Sequence, residues 1–139
     1  MSGIVIQRRV SSRGVPSPAS LRAFARGALS KNHGELTIRI VGAAESRELN
    51  ARYRKKDKPT NVLSFPVEAA VGDLVLCAPV IAREAREQSK TLRAHWAHMI
   101  VHGCLHLLGF DHERAADAAK MEARERKILA RLGFPDPYL

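Results

Sequence analysis

The chain has 139 residues, 45% of them hydrophobic, which suits one globular domain spanning residues 1–139 with a modest core and argues against a second. Lys and Arg number 23 against 14 Asp and Glu, a net +9 that favours a polyanionic partner, nucleic acid before an anionic membrane surface. Two cysteines, Cys77 and Cys104, are too few for a secreted disulfide scaffold and form no CxxC zinc knuckle, so both read as buried thiols in a reducing compartment.

The opening "MSGIVIQRRV" has no apolar run long enough for a signal peptide. No later segment approaches the roughly 20 apolar residues of a membrane span, so a soluble, cytoplasmic protein is expected. "GIVIQRRV" (3–10) alternates β-branched residues and predicts a first strand. After the loop "SSRGVPSP", Ser17 can cap a helix with Pro18 at its first position, and that helix is expected to stop near Gly34. "ELTIRIVG" is the clearest strand, and "AESRELNARYR" predicts a short helix. "KKDKPTN" reads as a charged loop, followed by strands at "VLSFPVE" and "DLVLCA" with Gly72 in the turn between them. Helices near 79–89, 91–108 and 113–131 complete the chain. The pattern predicts an α+β fold, a small mixed sheet of about four strands packed with helices.

The 91–108 helix carries the main signal. At about 100° per residue, His95, His98, His102 and His106 fall in one arc roughly 80° wide, with apolar residues round most of the remainder. A solvated face normally mixes Lys, Glu, Gln and Ser, so a surface reading of this stripe fits poorly. His33, alone in a loop, reads as merely solvated. His102 and His106 stand at i and i+4, which projects both rings toward one point, and Gly109 can end the helix so that His112 returns as a third donor. Three neutral imidazoles suit one Zn²⁺ per chain and leave a fourth position open, as a catalytic site requires.

Asp111 has two readings, an orienter of a ligand imidazole or the N-cap of the last helix. His98 and His95, one and two turns before His102, are expected to line the approach to the metal. A zinc peptidase carries glutamate after the first histidine, where this chain has Gly103, and no other carboxylate base is evident. Such a site fits phosphodiester chemistry better, given a cation to clamp the phosphate. "YRKKDKPTNVLSFP" supplies Arg54, Lys55, Lys56 and Lys58 in a short loop before a strand. Arg54 is the best clamp because its planar fork grips phosphate bidentately; the lysines would bind RNA or simply aid solubility.

"HGCLHLLGFDH", "NARYRKKDKPTNVLSFP" and "GDLVLC", in that family's order, resemble the signatures of the YbeY endoribonucleases, from about residue 35 to the C-terminus. The three-histidine motif alone is also similar to that of metzincin proteases, but the "KPTNVLSFP" block is far more specific. The resemblance implies a metal cleft beside the sheet, a metzincin-like zinc helix, and a metal-dependent RNase directed at single strands. Its field of action would be 16S rRNA maturation and ribosome quality control. It implies His102, His106 and His112 as zinc ligands and Arg54 as a functional arginine. RNA of the small ribosomal subunit is the expected partner, with a ribosomal protein or assembly GTPase as a further candidate. A zinc-stabilised assembly factor that binds RNA without cutting it is the alternative, and a metallopeptidase a weaker one.

Overall fold

The computed structural model describes residues 3–139. In chain order the elements are β1 (Ile4–Arg8), α1 (Pro18–Ala28), β2 (Leu36–Val41), α2 (Ala43–Arg54), β3 (Val62–Phe65), β4 (Gly72–Cys77), α3 (Ala78–Glu87), α4 (Leu92–Leu107) and α5 (Ala115–Arg131). The sheet order is β1-β2-β4-β3; β1, β2 and β4 run parallel and β3 pairs antiparallel with β4. This is the expected mixed four-stranded α+β architecture.

Alternation along Leu36-Thr-Ile-Arg-Ile sorts the sheet into two faces. Leu36, Ile38 and Ile40 join Leu74 and Leu76 in the main core, together with Phe24 of α1, Ile100 of α4 and Ile128 of α5. On the other face Val41, Leu63 and Val75 form a smaller cluster, packed by Leu49 of α2 and by Phe65. Helix α4 is apolar nearly all round and runs through the main core: Trp96, Ala97, Ile100, Val101 and Cys104 are fully buried. Removing the Trp96 side chain would cost about 3–5 kcal/mol, so the helix bearing the histidines is anchored by packing. Cys77 and Cys104 are both free and buried, and burial pushes the Cys104 thiol up to about 12, which makes it unreactive.

Ser17 caps α1 as expected, its hydroxyl accepting from the Ser20 N–H at 3.2 Å, but the helix ends at Ala28 and not near Gly34. Leu29 leaves with extended backbone and seats its side chain in the core, and residues 30–33 close a separate turn. His33 is buried in that turn, with Nδ1 paired to the Gly34 carbonyl, so it is not the solvated residue expected. Gly72 does not form the turn between β3 and β4; it opens β4, aligned with Leu36 of β2, while residues 66–71 make the connection. Arg54 is the last residue of α2, and the charged loop begins only at Lys55, whose left-handed backbone (φ 58°) turns the chain off the helix.

That loop is tied down. The Ser46 hydroxyl donates to the Thr60 carbonyl (3.1 Å) and accepts from its N–H (3.0 Å), Asn50 donates to the Lys58 carbonyl (2.8 Å), and Arg47 grips Asp57 through both nitrogens (2.7 and 3.0 Å). The end of α2 is thereby held in a fixed relation to β3.

Candidate metal centre

His102 and His106 leave the last two turns of α4 together, with ring centroids 4.7 Å apart. The helix then stops in a Schellman turn: the Gly109 N–H donates to the His106 carbonyl and the Phe110 N–H to the Leu105 carbonyl, each at 3.0 Å. Gly109 sits at φ 99°, a conformation that a side chain would strain. The reversal brings in His112, whose ring centroid lies 4.8 Å from that of His106 and 5.4 Å from that of His102. One ring nitrogen from each of the three lies within 4.8 Å of the others.

Asp111 neither orients an imidazole nor caps α5. Its Oδ1 accepts from the backbone N–H groups of His112 (2.6 Å) and Glu113 (3.2 Å), which fixes the chain where His112 departs, and the cap position of α5 is Arg114. The residue that meets a ring of the cluster is Glu125 of α5. Its carboxylate is fully buried, with Oε1 2.6 Å from His102 Nδ1, and its Oε2 accepts from the Tyr138 hydroxyl. Burial acts to raise the Glu125 carboxyl, but hydrogen bonds from His102, His98 and Tyr138 outweigh it and bring it down to about 2. A charged acceptor on Nδ1 keeps the proton there and leaves Nε2 of His102 with its lone pair free for the cluster.

His95 and His98 do not line the approach to the cluster. Both are buried, at 2% and 6% exposure. His98 faces inward, its Nε2 3.3 Å from the Tyr138 hydroxyl and 3.4 Å from Glu125 Oε1. His95 Nε2 lies 2.9 Å from Glu84 of α3, which also accepts from Asn61, so the "PTN" segment is fastened to the histidine helix through Glu84. The stripe divides into two structural rings inside the protein and two half-buried rings that line the cleft. Glu84, Glu125 and Tyr138 escaped the sequence reading, although both glutamates carry a signal. Glu125 falls at i+4 from Met121 and i−3 from Ile128, and Glu84 at i+4 from Val80, all of them buried apolar residues.

The three histidines form one wall of an open cleft of about 790 Å³. Strand β3 forms another, fastened to α4 by a hydrogen bond from the Ser64 hydroxyl to the Gly103 carbonyl at 3.2 Å. Arg54 and Tyr53, from the end of α2, complete it. Arg39, Arg47, Arg52, Arg83 and Arg126 are each paired with a carboxylate, whereas among the described residues none pairs with Arg54. Its fork is therefore available. Lys55, Lys56 and Lys58 are exposed beyond the cleft rather than in it. Glu113, also on the cleft wall, is a carboxylate near the histidines that the sequence reading passed over.

The donor set decides which ion fits. Three imidazoles suit zinc and its transition-metal neighbours, whereas magnesium and calcium require oxygen. His106 is held below the ordinary histidine range, first by burial and then by the neighbouring His102 and His112, which keeps it in the neutral form that ligates. The residues fit a zinc-type ion. The peptidase arrangement is disfavoured by packing, because a Cβ on Gly103 would lie 2.7 Å from Leu74 Cδ2 and 3.1 Å from Val62 Cγ2. A glutamate after the first histidine would require Leu74 and Val62 to give way.

Fold and site together define a small α+β protein whose mixed sheet supports an open three-imidazole cluster facing an unpaired arginine. The family model described as endoribonuclease YbeY matches residues 18–133, and the chain belongs to that family. The endoribonuclease YbeY of Pseudomonas putida (strain W619) is 52% identical over 141 residues, covering 94% of this chain and 90% of that one. That of Stutzerimonas stutzeri (strain A1501) is 53% identical over 138 residues, covering 92% and 86%. The solution structure of TM1509 from Thermotoga maritima superposes with a TM-score of 0.65 at 26% identity, over 95% of this chain and 89% of that one. Among the described residues no helix is long and apolar enough to cross a membrane.

Proposed function

We propose that this chain is a zinc-dependent endoribonuclease that cuts single-stranded RNA during 16S rRNA maturation and ribosome quality control in the cytoplasm. The observation that carries the reading is the unpaired Arg54 on the cleft that holds His102, His106 and His112. Zinc bound there would supply Lewis-acid polarisation of a phosphodiester. The three imidazoles would hold it, with Glu125 retaining the Nδ1 proton of His102 so that the lone pair on Nε2 is presented. Arg54 would clamp the phosphate oxygens and offset charge that develops as the bond to the leaving oxygen breaks. Lys55, Lys56 and Lys58, further out, would draw in the RNA backbone through salt-sensitive contacts. The small ribosomal subunit is the partner this reading implies, with a ribosomal protein or assembly GTPase in attendance.

The test is single-turnover cleavage of an unstructured RNA by metal-loaded protein. Arg54→Ala should keep its metal and melting temperature, because the side chain is exposed and unpaired, yet cleave about 100-fold more slowly. Arg54→Lys should recover little of the loss, since an ammonium lacks the fork. Normal cleavage by Arg54→Ala would remove Arg54 from the chemistry and favour the non-cutting, zinc-stabilised assembly factor.

A further inference from the structure

The cleft does not end at the arginine. A second cavity of about 480 Å³ lies on the less-covered face of the sheet, and Tyr53 and Phe65 line both. The two rings meet edge to face, with centroids 5.2 Å apart and planes at 69°. Phe65 is partly buried against Val41, Leu63 and Val75, but Tyr53 is 59% exposed, so packing does not account for its ring. It stands one residue before Arg54. A large aromatic held at the junction of two cavities, beside the residue that would grip phosphate, is suited to stacking.

Charge decides what enters the second cavity. Arg39 is its cation and is already engaged, by Glu45 at 2.6 Å and Gln7 at 3.3 Å. Asp73 adds a negative charge and Thr37 a hydroxyl, over a floor of Leu49 and Val75. With one neutralised arginine and a further carboxylate, this groove repels a phosphate track. An apolar floor with an acceptor and a hydroxyl at its edge suits an uncharged, flat group bearing amino donors. The free cations lie instead at the end of α2, where the backbone of the same strand would run.

We infer that Tyr53, backed by Phe65, is a stacking platform for a nucleobase flanking the scissile phosphate, and that this base lies over the groove edged by Thr37 and Asp73. The inference rests on the endoribonuclease reading and adds where the substrate goes beyond the cut. It makes Tyr53 a determinant of single-strand preference, because a base held in a duplex cannot splay onto the ring.

The experiment measures binding and single-turnover cleavage of an unstructured RNA, and of copies carrying one abasic nucleotide at successive positions around the cut. Tyr53→Ala should bind intact RNA about tenfold more weakly, with melting temperature, metal content and salt dependence unchanged, and Tyr53→Phe should bind as wild type does. In the wild type one abasic position should produce the same loss. In Tyr53→Ala that position should produce no further loss, since ring and base act as one pair. Wild-type affinity in Tyr53→Ala, or losses that simply multiply, would overturn the platform while leaving the nuclease intact. A wild-type protein that neither binds nor cuts RNA would overturn the underlying reading as well.

Discussion

Glu125 Oε1 lies 2.6 Å from His102 Nδ1, joining two residues 23 positions apart across the contact between α4 and α5. The carboxylate is wholly buried, so this bond is the means by which the last helix fixes the tautomer and pitch of one ring in the cluster. Glu125→Gln keeps the volume but removes the charge that retains the Nδ1 proton. Zinc affinity should fall about 10- to 100-fold, read by competition with a chromophoric chelator. Unchanged affinity would mean that His102 is oriented by packing alone.

Tyr138 closes the same network from the C-terminal tail, its hydroxyl donating to Glu125 while its ring lies under Arg126 at 5.2 Å. Tyr138→Phe leaves the ring in place and removes the donor. Oε2 of the buried carboxylate then loses its donor while Oε1 keeps His102, a loss of about 1–3 kcal/mol in denaturant melts, accompanied by weaker zinc binding. If stability falls and zinc affinity does not, the hydroxyl serves folding only.

At Gly103 two effects oppose each other. Alanine is preferred over glycine inside a helix by about 1 kcal/mol. Its Cβ would lie 2.7 Å from Leu74 Cδ2, and Leu74 is fully buried with little room to yield, so overpacking of about 1–3 kcal/mol should win. Gly103→Ala should lower the melting temperature, and Gly103→Glu should fold worse still and gain no peptidase activity. A more stable Gly103→Ala would show that Leu74 moves aside.

Acid should destabilise the metal-free protein through His95. Burial dominates in lowering this ring below the ordinary histidine value of 6.5, against the raising effect of Glu84, while His98 and Lys90 lower it further. The unfolded chain therefore takes up a proton near pH 6.5 that the folded chain still refuses, so stability falls as pH drops below that value. Glu125 adds a second loss lower down: its carboxyl, brought to about 2, contributes stability above the ordinary glutamate value of 4.5 that disappears as pH falls toward 2. Urea melts of the chelator-treated protein between pH 7.5 and 5 should slope less steeply for His95→Gln than for wild type. Equal slopes would assign the first loss to another group.

The outer half of the site was legible because its geometry is local. The i, i+4 spacing of His102 and His106, the left-handed Gly109 and the return of His112 are all written within eleven residues. The four-histidine stripe was visible, but its division into buried and cleft-facing rings depends on α3, α5 and the C-terminal tail. Those contacts span many residues and leave no local period. Glu125 sits in "MEARERKILAR" among other charges, and only its place on the Met121–Ile128 side marks it as buried. Strands β1 and β2 followed from alternation. The end of α1 did not, because the core's demand for Leu29 outweighs the helical preference of the residues around it.

His106 is the ring nearest both of the others, 4.7 Å from His102 and 4.8 Å from His112 between centroids. Metal content and single-strand RNA cleavage should be measured on the same preparations of wild type and His106→Ala, before and after chelation and zinc return. The wild type should carry one zinc per chain, lose cleavage on chelation and regain it with zinc, while His106→Ala should hold substoichiometric metal and cut no faster than the chelated protein. Cleavage by His106→Ala at the wild-type rate, or by wild type freed of metal, would contradict a three-histidine metal centre as the seat of the reaction.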